Sequence, residues 1–188
     1  MADTWGETVS GHRSSVRSAV LAAAGELVAE RGLGLTMSEI AERAGIGRAT
    51  LYRHFRDVDA VLLAWHEHQV AGHLQHLTGV RDGVTGSAGQ RLEAVLVAYA
   101  ELSAHGPGGA AAGRLHRGQH MEPARASLHD FITELVVEAV RAGQVRSDVP
   151  AEELAIFLLG ALSSTRSIDP AASRRLVTVA MDGVRALT

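Results

Sequence analysis

Apolar residues recur along this chain at the spacing of one helix face, segment after segment, with almost no stretch alternating as a half-buried strand would. Val16, Ala19, Val20, Ala23, Leu27 and Val28 trace the first stripe, and Gly32 offers it a stop. The twelve residues before it, MADTWGETVSGH, lack that periodicity and are expected to form a flexible tail, residues 1–12. Met37, Ile40, Ala41 and Ala44 trace a shorter second stripe. Thr36 precedes it with Glu39 in capping-box spacing, and Gly45 follows, able to take the left-handed conformation that ends a helix and turns the chain. Ile46, Leu51 and Phe55 anchor a third helix over roughly 47–54.

Beyond it, Asp57 is placed to cap a long helix carrying Val61, Leu62, Trp65, Val70 and Leu74 and ending near Gly79. RDGVTGSAG, 81–89, reads as a loop, with a helix starting near Ser87 and continuing through Leu92, Val95, Leu96, Tyr99 and Leu102. HGPGGAAAG, 105–113, is a flexible connection or helix break; 114–120 is a short helical piece. Pro123 suits the first turn of a helix reaching Ala142, 142–153 is a turn, and helices at about 151–165 and 171–187 close the chain. The expected fold class is all-α.

The 188 residues, 46% of them hydrophobic, suffice for one sizeable domain or a small module joined to a larger one. The absence of Cys excludes disulfides, thiolate catalysis and Cys-based zinc sites. Residues 13–29 look superficially like a signal peptide, yet Glu26 within the stretch and Glu30 just after it break the apolar run, and the apolar positions fall at helical spacing, as in a folded helix. The longest apolar run, Leu154 to Leu162, is too short to span a bilayer. A soluble, cytoplasmic protein with no membrane partner is expected.

Charge changes the picture more than composition does. The whole chain carries −3, but residues 43–56 hold Arg43, Arg48, Arg53 and Arg56 with no acid, leaving −7 on the rest. A cationic patch on an acidic body favours a polyanion at one place. Two short helices joined at Gly45, with small Ala41 where they cross, describe a helix-turn-helix over residues 13–56. Its second helix exposes Arg48, Thr50, Tyr52, Arg53 and His54, a surface suited to double-stranded DNA. Arg grips a guanine edge or a phosphate, and hydroxyls suit phosphates. An amphipathic helix pair unconnected with nucleic acid accounts for less, because capping, turn, core and charge agree.

LTMSEIAERAGIGRATLYRHF, residues 35–55, followed by an apolar helix, resembles the N-terminal signature of the tetracycline-repressor (TetR) family of bacterial one-component regulators. The resemblance is specific over 13 to about 65 and architectural beyond. It implies an all-helical homodimer, with residues 57–188 forming a ligand-binding and dimerisation domain. It also implies DNA contacts at Thr36, Arg48, Thr50, Tyr52 and His54, with Gly47 and Ala49 allowing close approach. The family commonly has a phosphate-binding Lys near the start of the fourth helix; Val58 stands there in this chain, and Arg56 is the candidate to substitute for it.

The last two helices carry more apolar surface than one side of a fold needs, and Phe157, Ala161, Val177, Met181 and Val184 are the candidates for a dimer interface. Ordinary core packing explains much of the same pattern. Candidates to line an apolar pocket for a small organic effector are Trp65, Tyr99, Met121, Phe131 and Phe157, with His66 and His73 as polar anchors. Two other function classes compete with this one. His73 with His76, and His116 with His120, have the spacing of metal ligands on one helix face and suggest a metal-responsive regulator as the alternative, although no Cys or paired carboxylate reinforces them. An enzyme built on Ser87 lacks the strand-to-helix elbow a nucleophile needs, and the glycines of 105–113 lack the strand and GK[ST] of a phosphate loop. No cofactor is implied. The reading is a transcriptional regulator, by resemblance a repressor, released from a near-palindromic operator by an organic ligand.

Overall fold

The computed structural model of the protein describes residues 4–105, 121–163 and 169–186, with side chains from residue 15 onward except His105 and Pro170. Its helices are α1 (Thr4–Arg31), α2 (Met37–Arg43), α3 (Arg48–His54), α4 (Val58–Gly83), α5 (Ala88–His105), α6 (Glu122–Arg141), α7 (Ala151–Ser163) and α8 (Pro170–Val184). The short helical piece expected at 114–120 lies outside the described residues. α1 starts at Thr4, ahead of the apolar periodicity, since extending an existing helix costs far less than nucleating one. α4 likewise runs past Gly79 to Gly83, held by Leu77 and Val80 in the core and by the Thr78 hydroxyl donating to the Leu74 carbonyl at 3.0 Å.

The chain separates into two compact units, and the division falls inside α4, after Val70. In the first unit, Val20, Leu27 and Val28 of α1, Ile40 and Ala41 of α2, and Leu51 of α3 share one core. Val61, Leu62 and Trp65 of α4 belong to that core too, so the start of α4 packs with the helix-turn-helix.

In the second unit, Leu92, Val95 and Leu96 of α5 face Ile132, Leu135 and Val136 of α6, with Leu154 and Leu158 of α7 and Val177 of α8. Local chemistry sets the ends of these helices. Ser87 and Gln90 cap α5 reciprocally, the Gln90 backbone N–H donating to Ser87 Oγ at 3.3 Å and the Ser87 N–H to Gln90 Oε1 at 2.8 Å. Asp169 caps α8 by accepting from the N–H groups of Ala171 and Ala172. α6 ends at Gly143, whose φ of +69° lets its N–H and that of Gln144 return to the carbonyls of Val140 and Ala139. The turn that follows is fastened twice. Gln144 Oε1 accepts the Gly89 N–H at 2.7 Å, and an isolated antiparallel bridge joins Val145 to Arg185.

Among the described residues, no helix is long and apolar enough to cross a membrane.

Candidate nucleic-acid interface

The geometry of α3 is inherited from the way α2 begins and ends. The Thr36 hydroxyl accepts the Glu39 N–H at 3.3 Å and donates to Glu39 Oε2 at 2.7 Å, while the same carboxylate takes the Thr36 N–H at 2.9 Å. These bonds, with Arg31 Nη1 at 2.7 Å from Glu39 Oε1, tie the start of α2 to the end of α1. They also hold the Glu39 carboxyl below its ordinary range, the Thr36 hydrogen bonds being the main cause. α2 stops because Gly45 sits at φ +66°, so that its N–H reaches the Glu42 carbonyl and the Ile46 N–H reaches Ala41.

Gly47 then caps α3 with its backbone alone, and Leu51, 0% exposed, pins the helix to the core. With Leu51 and Phe55 directed inward, Arg48, Ala49, Tyr52 and Arg53 are left facing solvent, and Thr50 and His54 are half-buried. Tyr52, at 49% exposure, is a large aromatic held at the surface by helical geometry. Arg53 Nη2 donates to Thr50 Oγ1 at 3.2 Å, one turn back on the same helix.

The four arginines of the basic window fare differently. Arg43 turns back to α1, with Nη1 2.9 Å from Glu30 and 3.1 Å from Glu26. These hydrogen bonds raise the Arg43 pKa, and the Arg43 bond holds Glu30 below the usual carboxylate range. Arg56 lies 2.9 Å from Asp57, whose other oxygen caps α4 by accepting the Ala60 N–H at 2.8 Å. Arg48 and Arg53 have no carboxylate partner among the described residues. The uncompensated charge is therefore concentrated on the outer face of α3.

The sequence of this unit matches the family described as "Bacterial regulatory proteins, tetR family" over residues 20–65, and residues 57–186 match "Transcriptional regulator SbtR-like, C-terminal domain". The chain belongs to the TetR family. It is a DNA-binding, one-component transcriptional regulator of the ligand-responsive kind, with no catalytic role. Solved TetR-type structures similar to it include a transcriptional regulator from Streptomyces coelicolor, at 27% identity and a TM-score of 0.64 over 92% of this chain and 99% of that one. The ketosteroid transcriptional regulator of Mycobacterium tuberculosis matches at 20% identity and 0.63 over 91% and 95%. The regulator FadR from Bacillus subtilis, solved in complex with stearoyl-CoA, matches at 15% and 0.72 over 89% and 98%. No curated protein matches the chain.

In this TetR-family chain the candidate ligand-pocket residues are divided between the two units. Trp65 lies in the core of the first unit, with Nε1 2.8 Å from where a Cβ on Gly25 would stand, and buried His66 follows it. Tyr99 and Phe131 pack in the second unit, where the Arg81 guanidinium lies 5.3 Å from the centre of the Phe131 ring; Met121 is buried beside the start of α6. His73 is half-buried, and burial, with His76 adding to it, holds its pKa below the ordinary value. Phe157 stands at the surface.

Among the described residues no group of three or more His, Asp or Glu is arranged to hold a metal ion; His116 and His120 lie outside them. The metal-responsive alternative is not favoured.

Proposed function

We propose that the protein is a repressor that binds a near-palindromic operator as a homodimer in the cytoplasm and is released by a small, mainly apolar organic effector. In this reading residues 13–56 contact DNA and 57–188 sense and dimerise. The observation that carries it is the outer face of α3, where Arg48, Ala49, Tyr52 and Arg53 project from a helix capped, turned and cored by its neighbours. A rigid helix presenting unneutralised Arg beside hydroxyls suits major-groove entry, with Thr36, Gly47, Thr50, His54 and Arg56 around it.

Two-fold symmetry requires a self-complementary surface. Support for one comes from α7 and α8, where Ile156 (61% exposed), Phe157 (50%), Leu176 and Val179 form an apolar face; the Phe157 ring packs 3.8 Å from where a Cβ on Gly183 would stand, and half-buried Ala161 extends the face along α7. Val177, Met181 and Val184 lie instead in the protomer's own core, so the outward residues are the ones to carry the contact.

An organic effector is favoured by the largely apolar character of Tyr99, Met121 and Phe131, with half-buried His73 a polar group of the same unit, a setting poorly suited to a hydrated cation. The stearoyl-CoA complex of the Bacillus subtilis protein of the same fold is consistent with that class. α4 follows α3 directly and continues as one helix to Gly83, so a ligand displacing its second half would change the separation of the two recognition helices.

The test is retardation of the DNA immediately upstream of the protein's own gene by the full chain, with acyl-CoA and steroid probes added to the complex and chelator as a control. Release by an organic probe and not by chelator supports the proposal. Failure to retard any specific duplex overturns it.

A further inference from the structure

Six arginines of the first unit have described side chains, and their partners divide them into structural charges and available ones. Arg31 is paired with Glu39, Arg43 with Glu26 and Glu30, and Arg56 with Asp57. Among the described residues, Arg48 and Arg53 of α3 have no carboxylate partner, and neither has Arg17, which belongs to α1 and lies outside the basic window. Arg17 is nevertheless held at the end of the recognition helix. Its guanidinium carbon lies 5.1 Å from the centre of the Phe55 ring, and Phe55 is the C-terminal cap of α3, buried and fixed by its N–H to the Leu51 carbonyl.

Stacking on an aromatic ring and pairing with a carboxylate leave an arginine in different states. A carboxylate engages the in-plane N–H donors, whereas a ring covers one face and leaves the rim of donors free. Arg17 is thus an exposed cation restrained by the ring of Phe55, the residue that directly follows Arg53 and His54 in the last turn of α3.

Building on the proposed DNA contact of α3, we propose that Arg17 is a DNA-binding residue that grips a backbone phosphate flanking the base-reading surface. It widens the electrostatic footprint beyond the helix-turn-helix without adding sequence preference. Phe55 is its positioning residue.

The experiment measures affinity of the full-length protein for an operator duplex, selected from a random library with the wild-type chain, across a series of monovalent salt concentrations. Each phosphate contact contributes about 0.9 to the slope of log K against log salt. Arg17→Gln is expected to lower that slope by about 0.9 for each bound protomer, to weaken binding at 0.15 M salt by roughly 5-fold per protomer, and to do so equally on operator variants. Arg17→Lys, which keeps the charge, is expected to restore most of the slope. Melting by circular dichroism checks the fold of both variants. An unchanged slope in Arg17→Gln overturns the proposal, as does a lowered slope that Arg17→Lys leaves unrestored. Arg48→Ala in parallel separates the two readings: if it weakens binding while Arg17→Gln leaves the slope intact, only the Arg17 contact fails. If neither variant has an effect, the α3 interface fails with it.

Discussion

Gly25 and Trp65 offer a direct test of how tightly α4 is joined to the helix-turn-helix core. A Cβ added at Gly25 would lie 2.8 Å from Trp65 Nε1, closer than packed atoms tolerate, and in ordinary contact with its Cδ1 at 3.6 Å. The indole is 3% exposed and surrounded by core side chains, so it has little room to swing aside. Gly25→Ala therefore sets two effects against each other. Replacing a mid-helix Gly by Ala favours the helix by about 1 kcal/mol, whereas overpacking a filled core costs about 1–3 kcal/mol. The expected net result is a loss of about 0–2 kcal/mol. In a Trp65→Phe background the indole edge is gone, and Gly25→Ala should become neutral or stabilising. The double-mutant cycle should then show a coupling of about 1–3 kcal/mol. Urea unfolding followed by Trp65 emission in a Trp5→Phe chain measures the single variant, and circular dichroism measures the whole cycle. The emission of Gly25→Ala should also shift as the indole is displaced. A stabilised Gly25→Ala with unchanged emission and no coupling would refute the reasoning.

Three further outcomes follow from exposure and charge. Arg48→Ala should cost about 1–3 kcal/mol of specific operator affinity if Arg48 reads a base, and Tyr52→Phe should weaken binding evenly across operator variants, both measured by anisotropy on folded protein. Phe157→Glu should give a folded monomer by sedimentation, because Phe157 is half exposed, whereas Val177→Glu places a charge at a site with 0% exposure and should cost the fold itself, read by circular dichroism. His73 has a folded pKa below its unfolded value of 6.5, so the unfolded chain takes up the proton first and stability falls as pH drops below about 6.5; His73→Gln should flatten that part of a stability-against-pH curve, and an unaltered curve would contradict it.

Local signals were legible because their causes are local. Thr36 with Glu39, Gly45 at positive φ, Asp57 at the start of α4, Ser87 before α5 and Pro123 at the head of α6 each act within about one helical turn, so spacing in the sequence is distance in space. The helix-turn-helix, the outer face of α3 and the all-α class rest on such signals, and the sequence by itself determined them. Helical periodicity marks which face of a helix is apolar but not what covers it. Only helix crossing decided that Trp65 packs against Gly25 in the first unit, and that Val177, Met181 and Val184 turn inward while Phe157 stays at the surface. Charge obeys the same limit. Four arginines read alike along 43–56, yet α1 supplies Glu26 and Glu30 to neutralise Arg43, and sends Arg17 to the ring of Phe55. Coulomb and cation–π forces act through space over a few ångströms, between residues the chain holds far apart in sequence, so these pairings exist only once the helices have packed.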